Sequence, residues 1–98
     1  MVIVGGWFEV DPGERDAFVA GRVDGMRRSR GEPGCIEYVI AADPVDPSRV
    51  VLFERWASQA DLDAHLAAAR ERLPAEGPSV TPKSVSISVY DVTGERPL

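Results

Sequence analysis

His65 is the only histidine in this 98-residue sequence, and the one side chain type whose ordinary titration falls near neutrality. It follows Leu62 by three positions and precedes Ala69 by four, so it borders the apolar face of a helix. Two readings stand. One is a hydrogen-bonded structural histidine at a core edge; the other is a general acid–base. Glu54 lies between Leu52 and Trp56 in an alternating run, which puts a carboxylate on an otherwise apolar strand face. Such a group must find a partner or line a wet pocket. It either pairs with an arginine or across a dimer, or it orients His65 or takes a proton itself. Trp56 shares that face, and Tyr38 joins it where the two strands pair. Aromatic rings so placed serve as core or flank a flat aromatic substrate.

Other chemistries lack their residues. Cys35 is the sole cysteine, so no intrachain disulfide and no cysteine-based metal site can form. With no histidine or lysine close in sequence, its thiol reads as inert and half-buried. No glycine-rich dinucleotide fingerprint, phosphate loop or His-x-x-x-His pair occurs, so the expected cofactor complement is none: no flavin, no nicotinamide, no metal. The net charge of −5 opposes nucleic-acid binding. The run Arg27-Arg28-Ser29-Arg30 falls at an expected helix end, where cations complement the helix dipole. The start, Met-Val-Ile-Val-Gly-Gly, is not basic, and no stretch approaches the roughly 20 apolar residues of a membrane span. A soluble, cytoplasmic protein is expected, with no membrane partner.

The elements that must position these residues follow from periodicity and turn chemistry. Val2 to Val10 predicts a strand with Val2, Val4, Phe8 and Val10 on one face and Gly6 between them. Gly5 and Gly6 leave room for close approach. Asp11-Pro12-Gly13-Glu14 opens a helix running to about Ser29, with Val19, Val23 and Met26 at helical spacing and Phe18 beside them. Gly21 and Gly25, four apart, permit close packing or a ligand beside that helix. Arg30 to Gly34 breaks it. Cys35–Ala42 and Arg49–Trp56 predict a hairpin across two Asp-Pro pairs. Ser58, with Asp61 three residues on, caps a second helix whose apolar stripe is Leu62, Leu66, Ala69 and Leu73. Residues 74–82 read as a loop, Lys83 to Val92 as the last strand and Thr93 to Leu98 as a polar tail. The order is βαββαβ: an α+β, ferredoxin-like domain with an antiparallel four-stranded sheet, two helices on one face, and one domain over 1–98 with its core at 2–92. The second face of the sheet also carries apolar side chains, and a second subunit would cover it.

The stretches Asp11-Pro12-Gly13-Glu14, Arg30-Gly31-Glu32-Pro33-Gly34-Cys35-Ile36-Glu37-Tyr38, Phe53-Glu54-Arg55-Trp56-Ala57-Ser58 and Ala64-His65-Leu66 together resemble the antibiotic biosynthesis monooxygenase family. The resemblance covers roughly residues 2–92. It implies a homodimer, a dimeric α/β barrel, with a pocket between sheet and helices in each subunit. Members of the family include enzymes that oxidise polycyclic aromatic or quinol-like substrates with O2 and no metal or flavin. Mapped onto this chain, His65 would move a proton and Glu54 would orient it. Trp56 and Tyr38 would flank the ring, Phe18 and Arg22 would add substrate contacts, and Arg22 or Arg55 would stabilise an anion. Haem-degrading relatives use an asparagine with tryptophan and histidine, and this sequence has no asparagine. The alternatives on the same fold are a proton-transfer isomerase or cyclase and a non-catalytic dimeric binding domain.

Overall fold

A computed structural model describes residues 1–76 and 80–98, with side chains described for 1–72 and 80–98. Its strands are β1 (Val2–Glu9), β2 (Cys35–Ala42), β3 (Arg49–Trp56) and β4 (Ser84–Asp91). Its helices are α1 (Arg15–Ala20), α2 (Val23–Arg30) and α3 (Gln59–Glu76), with a 3-10 turn at Pro12–Glu14. The strands form one antiparallel sheet in the order β2-β3-β1-β4. This is the ferredoxin-like α+β fold that the element order predicts.

The registers Val2↔Trp56, Val4↔Glu54, Gly6↔Leu52 and Phe8↔Val50 put these side chains on one face, and Tyr38↔Glu54 and Ile40↔Leu52 extend it onto β2. Antiparallel partners share a face, so the helices pack on this set. The buried core is Val2, Val4, Val10, Phe18, Ile40, Val50, Leu52, Trp56 and Leu62. Gly6 allows β4 to pair closely with β1. A β-carbon there would stand 1.9 Å from the Ser86 carbonyl oxygen, on a backbone already at φ +154°.

Four details depart from the sequence reading. The first helix divides at Gly21–Arg22. The Arg22 amide bonds the Val19 carbonyl at 3.0 Å, a three-residue closure, before Met26 to Arg22 restores the α spacing. Phe18, placed beside the apolar stripe by the sequence, is wholly buried at its centre and meets Phe8 at 5.1 Å. In α3 the inner face is Leu62, His65, Ala69 and Arg72, while Leu66 is 42% exposed. Helical period allows either phase, and Leu62 belongs to both; the burial of His65 in place of Leu66 distinguishes this one. The α3 helix also continues to Glu76, into the expected loop at 74–82; Leu73's side chain and all of 77–79 lie outside the described residues.

The cap chemistry matches the sequence. Asp11 accepts from the Gly13 amide at 2.9 Å. The Ser58 hydroxyl donates to Asp61 at 2.8 Å and accepts from the Asp61 amide at 3.2 Å, which starts α3. No helix among the described residues is long and apolar enough to cross a membrane.

Candidate functional site

The β2–β3 hairpin and the start of α3 bring four side chains together. Glu54 and Trp56, two apart on β3, point the same way, and the Trp56 indole donates to Glu54 Oε1 at 2.8 Å, both groups buried. His65 stacks against Trp56 with ring centroids 4.8 Å apart at 34°. Tyr38 presents its ring to His65 at 5.4 Å and to Trp56 at 6.5 Å, both edge-on. The imidazole is thus held between two aromatic rings and is only 6% exposed.

The carboxylate at His65 is not the one the sequence pairs with it. His65 Nδ1 lies 2.7 Å from Glu32 Oε1, whereas Glu54 serves Trp56. Glu32 sits in the turn between α2 and β2, a segment with no periodicity to flag it. The local backbone explains its placement. Glu32's amide bonds the Ser29 carbonyl at 3.0 Å, and the Cys35 amide bonds the Glu32 carbonyl at 3.2 Å. Gly34 then takes φ +79°, and its carbonyl accepts from Ala57 at 2.8 Å, tying the turn to the end of β3. A β-carbon on Gly34 would meet Asp61 Oδ2 at 2.1 Å, so this turn seats against the start of α3, one turn before His65. The signal available in sequence was Glu32-Pro33-Gly34 itself: a proline that fixes φ and a glycine that permits positive φ, flanking an acid.

A cleft of about 470 Å3 opens between α2 and α3 over β2, with Arg22, Gly25, Tyr38, Ile40, His65 and Arg72 among its walls. Gly21 and Gly25 line it as well, and a β-carbon on Gly25 would meet nothing within 4 Å. The structure places Tyr38, His65 and Arg22 on this cleft. Trp56 and Glu54 lie buried behind His65, and Phe18 lies in the core beneath Arg22, whose guanidinium is 4.1 Å from the Phe18 ring centre. Arg55 faces the opposite side of the sheet, paired with Glu37 and, at 3.3 Å, with Glu95 of the tail.

Burial sets the electrostatics. The Glu54 carboxyl is pushed up by desolvation, against the opposing pull of the Trp56 indole and His65, and Glu32 nearby raises it further. The Tyr38 phenol is pushed up to about 12, chiefly by burial and then by Glu54, so it keeps its proton throughout the neutral range. Its hydrogen bond to Ser29 acts in the other direction. The Cys35 thiol is also raised, by burial and then by Glu54 and Glu32, which holds it as an unreactive thiol. Desolvation pulls the half-buried Arg22 down from its ordinary value. Among the described residues no group of three or more His, Cys, Asp and Glu is gathered to hold a metal ion.

The raised Glu54 carboxyl has a consequence for stability. The folded state holds this proton more tightly than the unfolded chain, so Glu54 favours folding at low pH and loses that contribution as pH rises through its folded value. Glu54→Gln keeps an oxygen to accept from Trp56 and removes the titration. Its Tm relative to the wild type should therefore be more favourable at pH ~7.5 than at pH ~4.5. Thermal melts at the two pH values check this, and a mutant-minus-wild-type Tm that is lower at pH ~7.5 than at pH ~4.5 would contradict it.

The fold defines the class, an α+β ferredoxin-like protein with a His-aromatic cleft between its sheet and helices. The family model for antibiotic biosynthesis monooxygenases matches residues 1–70, and the chain belongs to that family. A candidate antibiotic biosynthesis monooxygenase from Deinococcus radiodurans superposes with a TM-score of 0.80 at 19% identity, covering 100% of this chain and 98% of its own; that likeness is one of fold. A candidate antibiotic biosynthesis monooxygenase from Chloroflexus aurantiacus is 26% identical with a TM-score of 0.73, over 98% of this chain and 96% of its own. The uncharacterized protein sll1783 of Synechocystis is 28% identical across 99% of this chain and 67% of its own length.

Proposed function

We propose that the chain is a cofactor-independent monooxygenase acting on an aromatic polyketide- or quinol-like substrate with O2. The observation that carries this reading is His65 on the wall of the cleft beside Tyr38, with its Nδ1 held by Glu32. A carboxylate accepts, so Nδ1 of His65 carries its proton towards Glu32 and the lone pair lies on Nε2. That tautomer suits a base. Nε2 takes a proton from an acidic phenol or from the methylene carbon of an anthrone-like ring. The resulting anion is rich enough in electrons to reduce O2 directly, and a carbon–peroxide bond forms. The imidazolium returns its proton to the peroxide. Removal of the second hydrogen from the same carbon then breaks the O–O bond, leaving a carbonyl and one water. In sum a CH2 and O2 become C=O and H2O. Tyr38 supplies an O–H donor for the developing oxyanion, and Trp56 holds the imidazole plane from behind.

Turnover of an anthrone under labelled O2 tests the reading. One labelled oxygen should be retained in the product carbonyl, and the reaction should stop without O2. Unlabelled product, or equal turnover under nitrogen, points to an isomerase or cyclase instead.

The working unit we propose is a homodimer built on the outer sheet face. Trp7, Val39, Val51 and Tyr90 are all exposed there, in neighbouring registers. Arg49 lies 4.3 Å from the Trp7 ring centre at the edge of this patch. Light scattering after size exclusion should give twice the chain mass at micromolar concentration, and Val51→Glu should shift it to the monomer. A wild-type monomer would contradict this.

A further inference from the structure

The walls of the cleft repeat in levels. Two contacts fix α2 over β2: the Ile40 amide donates to Met26 Sδ at 3.2 Å, and Arg30 Nε donates to the Tyr38 carbonyl at 2.9 Å. The Tyr38 side chain also hydrogen-bonds the buried Ser29. Going backwards along α2 from Ser29 to Met26 therefore follows β2 from Tyr38 to Ile40. On the other side α3 begins just past Trp56 and packs back along β3, with His65 stacked on Trp56. Ser29, Tyr38 and His65 thus make one level of the cleft. Four residues further along each helix, about 6 Å of rise, Gly25 of α2 and Ala69 of α3 make the next, with Ile40 as its floor.

Gly25 stands inside α2, where glycine costs stability relative to alanine. Gly6 and Gly34 have structural reasons, a positive φ and a neighbour where a side chain would go. Gly25 has neither: its φ is not positive, and a β-carbon there would meet nothing among the described residues within 4 Å. Ser29 turns its side chain to Tyr38, and residues four apart share a helix face, so a side chain at 25 would project into the cleft. We propose that Gly25 determines substrate size, by leaving room for a second fused ring beside the ring that reacts at His65. The reacting ring lies against His65 and Tyr38, and the next ring lies between Gly25 and Ala69 over Ile40. His65 itself points to a ligand at the first level. It is only 6% exposed, and its Nδ1 contact with Glu32 is its one hydrogen bond among the described residues, which leaves Nε2 for the cleft. The inference rests on reading the cleft as the substrate site. It is separable from the oxygen chemistry, because binding needs no O2.

Calorimetric titration under nitrogen tests it, with hydroquinone and 1,4-dihydroxynaphthalene as probes. The two share a para-diol and differ by one fused ring. The wild type should bind the two-ring probe about tenfold tighter, because the extra ring buries apolar surface. Gly25→Val should bring the two-ring to one-ring affinity ratio close to one, and Gly25→Ala should fall between. Ala69→Val, from the opposite wall, should lower the ratio in the same direction. Thermal melts separate this from a structural role: Gly25→Ala should raise Tm by roughly 4–8 °C, the gain of alanine over glycine inside a helix. A Tm that falls would make Gly25 a packing residue and overturn the proposal. A ratio untouched by both Gly25→Val and Ala69→Val overturns it too. A wild type that binds neither probe overturns both this inference and the monooxygenase reading. A ratio that shifts as expected, without oxygen uptake on any substrate, would overturn the monooxygenase reading and leave this one standing. Oxygen uptake that depends on His65, with a ratio indifferent to position 25, would do the reverse.

Discussion

His65→Ala should lower the turnover number by about 10²- to 10⁴-fold, the usual contribution of a positioned general base. The expectation follows from geometry. His65 is the only histidine, it lines the cleft, and its Nδ1 is held at 2.7 Å by Glu32. The effect should fall on kcat, because a proton acceptor acts in the transition state and contributes little to substrate binding. Glu32→Gln should show the same direction with a smaller loss, since an amide can still bond Nδ1 but no longer enforces the tautomer. Steady-state oxygen uptake with saturating substrate measures both. Turnover of His65→Ala within about threefold of the wild type would remove His65 from the mechanism.

Trp56→Ala should be the most damaging change to the fold. The ring is wholly buried, stacks on His65 and donates to Glu54. Truncating a buried tryptophan costs about 3–5 kcal/mol, and leaving a buried carboxyl without its donor adds roughly 1–3 kcal/mol. A domain of this size has about 5–15 kcal/mol in total, so Tm should fall by roughly 15 °C or more, or the chain should fail to fold. Trp56→Phe keeps most of the volume and loses the indole donor, so it should fall between the two. Urea denaturation resolves the series. A loss under about 1 kcal/mol for Trp56→Ala would mean that the ring is not the keystone between sheet and α3.

The fold was legible because its signals are local. The strand bounds expected at Cys35–Ala42 and Arg49–Trp56 match β2 and β3 residue for residue, since alternation and Asp-Pro turns mark them directly. The caps at Asp11 and Ser58 were readable for the same reason: each is a side chain bonding a backbone two or three residues away. The phase of α3 was not. Leucine at 62 and 66 among alanines permits two inner faces, and only packing against β3 selects the one that hides His65 and brings Arg72 to the cleft. The division of the first helix has no sequence signature, because Gly21 lowers helix propensity without dictating where the turn tightens. Glu32 was present in the motif that carries the family resemblance, but its reach to His65 spans 33 positions, and no spacing rule connects a turn residue to a helix that far away. Arg55 alternates onto the outer face, where a single register step separates it from the site.

The most direct test of the central claim is oxygen uptake by the purified, metal-free protein against a panel of hydroquinones and anthrone-like phenols. Uptake above the autoxidation rate is expected on at least one member of the panel, and it should be abolished in His65→Ala. Uptake that is absent across the panel, or that persists undiminished in His65→Ala, would contradict it.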